Sequence, residues 1–253
     1  MATRISLLSL NLWNDKETRP ERLQNFFDLV CNCDPDIICL QEVTNLVLTK
    51  ILRQKWAKVY FASTKKIRER ICGEVILSKF PISLCETFPF RQTAAGNCIN
   101  ITHINIPLGY ILPTPGEENL VGDCIAIINC QLEKLKPFSE MRKEQFRSLV
   151  NLMCRQTCVF IVGDTNFTDE HLDSLDIPVP YRDVWYEMGE QNEHQFTYDS
   201  TKNRYIHGNC QYRYDRAIYK SPYWCADYFE LVGVDTVAST HFGIYCEFIK
   251  KEN

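Results

Sequence analysis

The chain has no excess of positive charge. Its 28 lysine and arginine residues stand against 32 aspartate and glutamate residues, which gives a net charge of -4. Proteins that hold nucleic acid through bulk charge use lysine and arginine to neutralise phosphates. The composition therefore excludes binding of that kind, and any phosphate contact has to come from a few local residues.

A long hydrophobic run is also missing. The opening RISLLSLNLW is interrupted by Ser6, Ser9 and Asn11 and is far too short to cross a bilayer. No secretory signal is recognisable, and the 13 cysteines are odd in number and scattered along the chain. This pattern is typical of reduced thiols and predicts an intracellular protein, in the nucleus or the cytoplasm, that has no membrane partner.

Grouped ligands for zinc are lacking as well. The pair Cys31 and Cys33 has no second pair of ligands, and the 5 histidines are dispersed. A structural zinc site requires four such ligands at close spacing. The sequence therefore argues against structural zinc.

The length and hydrophobic content suit one large domain. With 253 residues, of which 45% are hydrophobic, the chain can bury one substantial core or, less comfortably, two. We predict a single domain over residues 1–253. Strands are predicted at short runs of β-branched, aromatic and aliphatic residues, namely ISLLSLNLW, DIICLQEV, KVYFA, GEVILS, CINITHINI, CIAIINCQL, CVFIVGD, HQFTYD, YRYDRAIY and HFGIYCEFI.

Three stretches have a helical period. They are TRPERLQNFFDLVCN, in which Thr18 and Glu21 form a capping-box pattern, residues 44–54, and SEMRKEQFRSLVNLMCR. A helix between strands indicates a βα unit and neighbouring strands indicate hairpins, so the sequence predicts a mixed α/β layered fold. The stretch LGYILPTPGEENLVGD predicts a surface insertion between two strands.

Polar residues occur where the apolar runs begin or end, at Asn11, Gln41, Glu42, Gln131, Glu133, Asp164, Asn166 and His241. In a layered α/β fold such strand ends can meet in one crevice. There they would offer carboxylates to a hard cation and to water, amides to phosphate oxygens, and an imidazole to developing charge. This combination favours metal-assisted cleavage of a phosphodiester.

Each of these signals has an ordinary structural explanation when it is taken alone. A glutamate after an apolar run usually marks a solvated strand end, and GDTN has the composition of a common turn. His241 alone is more often a structural histidine. The joint occurrence of these residues in this order is what favours a site.

The segments SLNLW, ICLQEV, IVGDTNFTD, YRYDRAIY and STHFG resemble, in order and spacing, the motifs of the endonuclease/exonuclease/phosphatase superfamily. Within this superfamily, the stretch RDVWYEMGEQNEHQFTYDSTKN is similar to the phosphodiesterases that release tyrosine from DNA. The resemblance spans nearly the whole chain and covers a catalytic domain only. It implies a four-layered α/β sandwich of the DNase I-like kind, in which two mixed sheets pack face to face with helices outside.

The resemblance also implies an activity and its partners. The expected reaction is magnesium-dependent hydrolysis, with manganese as a possible substitute, of the bond between a protein tyrosine and a nucleic-acid 5′ phosphate. The expected partner is a nucleic-acid 5′ end that carries a tyrosyl or peptide adduct, and the protein is expected to act as a monomer. By its motif, Glu42 would ligate the magnesium.

Five further residues receive roles from their motifs. Asp164 would orient or deprotonate the attacking water, with Asn166 and Asn11 holding its geometry. His241 would stabilise the transition-state phosphate. Asp215 would pair with His241 to fix its tautomer and keep it charged.

Two positions depart from the family pattern, because Gln131 replaces the usual histidine and Thr240 the usual aspartate. Gln131 can still donate a neutral hydrogen bond to a phosphate oxygen, but it lacks the charge of an imidazolium. Thr240 cannot serve as an anionic ligand. One magnesium centred on Glu42 is therefore the simplest expectation.

The substrate path differs too. Gly96 and Thr168 fall where the family has arginines, and Tyr198 and Tyr214 fall where it has tryptophan and phenylalanine. The two tyrosine rings either stack on a base or a tyrosine of the substrate, or simply pack in the core. The sequence leaves open whether the substrate is DNA or RNA.

Two classes of function remain open from the sequence. The first is an active phosphodiesterase of the kind described, or another nuclease or phosphatase of the superfamily. The second is a catalytically weakened relative that binds nucleic acid or a phosphorylated partner, which the replacements at Gln131 and Thr240 make plausible.

Overall fold

The computed structural model describes residues 3–16, 18–67, 71–107, 122–170 and 173–251. Its helices are α1 (Arg19–Cys33), α2 (Asn45–Leu52), α3 (Ser139–Leu152) and the short α4 (Val184–Glu187). Its strands, in chain order, are β1 (Arg4–Asn11), β2 (Ile37–Thr44), β3 (Phe61–Ala62), β4 (Cys72–Ser78), β5 (Ile82–Pro89), β6 (Cys98–Pro107), β7 (Gly122–Gln131), β8 (Val159–Asp164), β9 (Arg182–Asp183), β10 (Tyr198–Asp199), β11 (Gln211–Tyr212), β12 (Asp215–Lys220), β13 (Trp224–Val232) and β14 (Gly243–Lys250).

The described strands form two mixed sheets and one small ribbon. The first sheet has the order β13-β14-β1-β2-β4-β3, and the second has the order β5-β6-β7-β8-β12-β9. One neighbouring pair in each sheet is parallel, β1 with β2 and β7 with β8, and the other pairs are antiparallel. The ribbon consists of β10 and β11.

The two sheets pack face to face around a shared apolar core. Leu7 and Ile37 of the first sheet belong to the same buried cluster as Ile127, Phe160 and other residues of the second. Strands that are covered on both faces need apolar residues at successive positions. This explains why β1, β2, β7 and β8 were recognisable as largely apolar runs.

The outer face of each sheet is covered by helices. Phe26 of α1 and Leu48 of α2 pack with Leu10 of β1 on the outer side of the first sheet. Phe146 of α3 packs with Ile161 of β8 on the outer side of the second. The layers are therefore helix, sheet, sheet and helix, which confirms the predicted four-layered α/β sandwich.

Several predicted element boundaries are wrong in an informative way. In KVYFA, the first two residues belong to a 3₁₀ helix over Trp56–Val59, and only β3 is strand. Most of HQFTYD is likewise outside β10. The run YRYDRAIY is divided between β11 and β12, which lie in different sheets.

Two long strands, β5 and β13, were missed. Both are edge strands of their sheets, and in each of them several residues are exposed or half-buried. An edge strand needs less apolar sequence, so its signal is weaker. The capping box was also wrong, because Thr18 has φ 50° and its side chain makes no capping hydrogen bond.

The predicted surface insertion cannot be compared with the fold, because residues 108–121 lie outside the described residues. Among the described helices, none combines the length and the apolar character that crossing a membrane requires.

Candidate active site

A cavity of about 590 Å³ opens at the ends of β1, β2 and β8. Two of the residues predicted from the sequence, Gln131 and Asp215, do not line it but are hydrogen-bonded to residues that do. The predicted residues that line it are Asn11, Glu42, Asp164, Asn166, Thr168, Tyr198, Tyr214, Thr240 and His241. The chain thus brings together side chains from six separate regions of the sequence.

Glu42 reaches the cavity through an irregularity of β2. The register of β2 against β4 shifts between Leu40 and Val43, and Glu42 has φ 56°, in the left-handed region. A bulge re-aims a side chain in this way, and such strained backbone concentrates at functional sites. The bulge therefore turns the Glu42 carboxylate away from the regular alternation of the strand.

The Glu42 carboxylate is surrounded by nitrogen donors. Oε1 accepts hydrogen bonds from Gln131 Nε2 at 2.8 Å and Asn11 Nδ2 at 3.4 Å, and it contacts Lys134 Nζ. Oε2 accepts from the Asn14 amide at 2.8 Å. Burial raises the pKa of this carboxyl, but Lys134, Asn14 and Gln131 outweigh burial and lower the pKa to about 2. Glu42 is therefore an anion at neutral pH.

Asp164 ends β8 next to a glycine that the packing requires. Gly163 has φ 134°, and a Cβ atom there would lie 2.1 Å from the Cys130 carbonyl oxygen. The Asp164 carboxylate accepts from Asn11 Nδ2 at 2.9 Å, from Gln131 Nε2 at 3.2 Å and from the Asn166 amide at 3.1 Å. These donors fix its orientation.

Burial raises the pKa of the Asp164 carboxyl above its ordinary value. The His241 cation works in the opposite direction, and the Asp215 carboxylate adds to the rise. Asp164 and Asp215 are register partners of the antiparallel pair β8 and β12, which explains their proximity. A carboxylate with a raised pKa is a better base than an ordinary one.

His241 and Asp215 form a buried ion pair. The distance from His241 Nδ1 to Asp215 Oδ2 is 2.8 Å, and both side chains are largely excluded from solvent. Burial lowers the pKa of the imidazole, but Asp215 and Asp164 outweigh burial and raise the pKa to about 9 from 6.5. The predicted contact between these residues is confirmed, and their catalytic roles stay predictions.

This ion pair predicts a dependence of stability on pH. Because the folded-state pKa of His241 lies above the ordinary value, its contribution to stability is full below about pH 6.5 and is lost as the pH rises through about 9. The contribution amounts to roughly 3 kcal/mol at most. We expect the difference in unfolding free energy between the protein and His241→Gln, measured by urea unfolding, to shrink accordingly toward high pH. A difference that is constant with pH would contradict the protonated pair.

The two predicted tyrosines form one wall of the cavity. The ring centroids of Tyr198 and His241 are 5.3 Å apart in an edge-to-face arrangement, and those of Tyr198 and Tyr214 are 5.4 Å apart. Both tyrosines line the cavity and are only half-buried. Their rings are therefore open to a bound molecule, although they also pack on each other.

Thr168 and Thr240 line the same cavity. The Thr168 hydroxyl already donates to Asp173 Oδ2 at 3.1 Å, which holds the loop that follows β8. Asp173 in turn pairs with the buried Arg142. Thr168 thus has a structural partner as well as a place on the cavity wall.

Two of the polar strand ends noted in the sequence are structural. Gln41 lies between the sheets, where Nε2 donates to Asn129 Oδ1 at 2.7 Å. The Glu133 carboxylate accepts from the Thr93 hydroxyl at 2.9 Å and from the amides of Ala94 and Ala95 at 3.0 Å. Glu133 therefore anchors a loop.

Sequence reasoning missed other residues that line the cavity, and among them Lys134 contacts Glu42 directly. Lys134 follows β7 in a loop, where a lysine is typical of a solvated surface, so its contact with Glu42 left no sequence signal. The other missed lining residues include Trp13, Tyr205 and His207.

Two groups of side chains at this site offer ligand atoms to a metal, and they do not suit a divalent cation equally well. Ligand atoms of Asp164, Asp215 and His241 lie within 4.8 Å of one another. A metal-bound imidazole has to be neutral, whereas His241 is held as a cation by Asp215. The Glu42 carboxylate, an anionic oxygen ligand, fits a hard divalent cation better. Lys134 is the cation that contacts it in the structure.

Two mixed sheets inside helical layers, with carboxylates and an aspartate–histidine pair at the strand ends, define a hydrolase of phosphate esters. Residues 8–239 match the Endonuclease/Exonuclease/phosphatase family, and the chain belongs to it. Members of this family depend on metal in general.

Within this family the chain is similar to tyrosyl-DNA phosphodiesterases. It is 23% identical to tyrosyl-DNA phosphodiesterase 2 of Gallus gallus, over 96% of this chain and 67% of that protein. It is 24% identical to the 5′-tyrosyl-DNA phosphodiesterase of Caenorhabditis elegans, over 86% of this chain and 58% of that protein. The crystal structure of D. rerio TDP2 complexed with single strand DNA product superposes with a TM-score of 0.80 at 22% identity, over 97% of this chain and 99% of that one.

Proposed function

We propose that residues 1–253 form one catalytic domain that hydrolyses the phosphodiester between a protein tyrosine and a nucleic-acid 5′ phosphate, with magnesium as its cofactor. The observation that carries the proposal is the buried cluster in which Asp164 lies beside the His241–Asp215 ion pair, in the same cavity as Glu42. The similarity to tyrosyl-DNA phosphodiesterases supports the substrate class. The protein is proposed to act as a monomer in the nucleus or the cytoplasm.

Asp164 would position the attacking water. Its carboxylate is held by amide donors from Asn11, Gln131 and Asn166, so its orientation toward the water would be fixed. Its raised pKa favours acceptance of a proton from that water. Holding a nucleophile in one geometry lowers the entropic part of the barrier.

His241 would stabilise the charge that develops on the phosphate. Asp215 binds Nδ1, so the protonated ring can donate from Nε2 to a non-bridging phosphate oxygen. A magnesium ion held by Glu42 would supply Lewis-acid stabilisation of the same phosphate when it is bound. Gln131 donates to both Glu42 and Asp164, so its part is to hold these carboxylates.

The cavity wall suits an aromatic or nucleobase group. Tyr198 and Tyr214 present half-buried rings beside His241, and Trp13 and Tyr205 contribute further rings to the lining. Aromatic rings of this kind stack on bases and on phenol rings. The wall therefore accommodates either partner of a tyrosyl–nucleotide bond.

A second candidate function is binding without turnover. Lys134 contacts the carboxylate that would hold the metal, and Thr240 adds no negative charge to the cavity. A site so neutralised would retain a phosphate-bearing ligand without an efficient Lewis acid. This reading predicts an affinity for 5′-phosphorylated or 5′-tyrosylated nucleic acid in the absence of cleavage.

Turnover decides between the two candidates. The release of tyrosine from a 5′-tyrosyl oligonucleotide and from a small aryl ester of a nucleotide 5′ phosphate should be measured with and without magnesium. We expect magnesium-dependent release that is faster for the oligonucleotide, and none from Asp164→Asn. Tight binding of the oligonucleotide with no release by the unchanged protein would favour the binding function instead.

Introducing at position 240 the aspartate that is usual in the family should strengthen the metal site. Thr240 lines the cavity that contains Glu42, and a second carboxylate there adds an oxygen ligand and negative charge. We expect Thr240→Asp to bind magnesium more tightly or to turn over faster, with Thr240→Asn as the neutral control of similar shape. Loss of activity in Thr240→Asp alone would mean that the site is built around the threonine.

A further inference from the structure

Lys134 has a fixed position beside Glu42. Its backbone lies between Glu133, whose carboxylate is anchored by the 93–95 loop, and Leu135, whose carbonyl accepts from Arg142 Nη1 at 3.2 Å. Arg142 also donates to the Glu133 carbonyl at 2.7 Å. The chain on both sides of Lys134 is therefore tied to buried groups, and its side chain extends from this support into the cavity.

The ammonium of Lys134 contacts the carboxylate that would have to bind a metal. Lys134 Nζ contacts Glu42 Oε1, and Oε2 accepts a hydrogen bond from the Asn14 amide at 2.8 Å. Magnesium needs several oxygen ligands in a regular arrangement, and the direct partners of Oε1 are nitrogen donors. An ammonium and a divalent ion on one carboxylate would also repel each other strongly, since both are positive.

The two lysines at the cavity differ in a way that isolates this contact. Lys134 is 47% exposed and pairs with Glu42, which is 9% exposed. Lys136 also lines the cavity, but it is 66% exposed and pairs with the exposed Glu170. Removing either lysine takes one positive charge from the cavity, and only the removal of Lys134 takes a cation away from the buried carboxylate.

We propose that the Lys134 ammonium occupies the cation position of Glu42 and that a divalent ion binds this carboxylate only by displacing it. The inference rests on the proposed function where it assigns the metal to Glu42. The chain supplies its own monovalent cation to the site, and the affinity for metal is reduced by the cost of moving it. The displaced lysine remains tethered at the cavity, where its charge can contact a phosphate.

Direct metal binding tests this proposal without any substrate. Manganese affinity should be measured by electron paramagnetic resonance of the free ion, for the unchanged protein and for Lys134→Met, Lys134→Arg and Lys136→Met. We expect Lys134→Met to bind manganese about tenfold more tightly or better, because it removes a competing charge. Lys134→Arg keeps the cation and Lys136→Met keeps the contact, so both should bind like the unchanged protein.

The gain should also depend on Glu42. Adding Glu42→Gln to Lys134→Met is expected to remove the tighter binding, which places the effect at that carboxylate. Lys134→Gln serves as a second neutral variant. The proposal is overturned if both Lys134→Met and Lys134→Gln bind manganese no more tightly than the unchanged protein. It is also overturned if Lys136→Met gains as much manganese affinity as Lys134→Met. Because no turnover is measured, an inactive protein would count against the proposed function alone.

Discussion

Replacing Glu42 by glutamine is expected to abolish magnesium-dependent cleavage while the fold is retained. The Glu42 carboxylate faces the cavity, and its pKa of about 2 makes it fully ionised at neutral pH. A neutral amide of the same shape can still accept from Asn14, but it is a far poorer ligand for a hard cation. Loss of the Lewis acid removes several kcal/mol of transition-state stabilisation, so the rate should fall by about a thousandfold or more.

The rate should be measured over a magnesium titration, with circular dichroism as the check of folding. Glu170→Gln is the matched control, because it also removes a carboxylate that pairs with a lysine beside the cavity. We expect this control to keep the full rate. A folded Glu42→Gln protein with the rate of the unchanged protein would remove Glu42 from the metal site.

The central strands of the fold were predictable because burial on both faces demands apolar residues at successive positions. In β8 all six residues are buried, and its sequence VFIVGD shows this directly. In β5 only Ile82 and Cys85 are even half-buried. An edge strand contacts solvent as well as neighbouring residues, so its sequence is less apolar. For this reason β5 and β13 were not predicted.

The site was predictable as a set of residues but not as a geometry. The motifs located Glu42 and Asp164, yet the bulge in β2 and the left-handed backbone of Glu42 depend on pairing with β4, which no local propensity records. The same limit applies to Gln41. It precedes Glu42 in sequence, but its side chain bonds to Asn129 between the sheets.

Lys134 is a residue of the site that the sequence did not indicate. Its partner is 92 residues away in the sequence, so the contact exists only after β2 and β7 have been brought together by folding. A lysine in a loop has many possible surroundings, and most of them are solvent. The pairing of charged residues that are far apart in the sequence is therefore the part of the site that could not be predicted.

The second large effect is expected at the His241–Asp215 ion pair. A carboxylate bonded to an imidazole favours the protonated ring and holds its orientation, and here the pKa of His241 rises to about 9. The cation should matter most when charge develops on the phosphate, and therefore more for turnover than for binding of the substrate. We expect Asp215→Asn and His241→Ala each to lower the maximal rate by about a hundredfold or more.

The losses of rate caused by the two substitutions should also be less than additive. Because Asp215 acts through His241, removing both should be far less harmful than the product of the single losses. Additive losses would show that the two residues act separately, and an unchanged rate in His241→Ala would remove the histidine from the mechanism. A purely structural pair would instead lower the melting temperature of both variants while turnover below melting stayed complete. Rate and melting should therefore be measured on the same samples, with His103→Ala on β6 as a control for histidine loss away from the cavity.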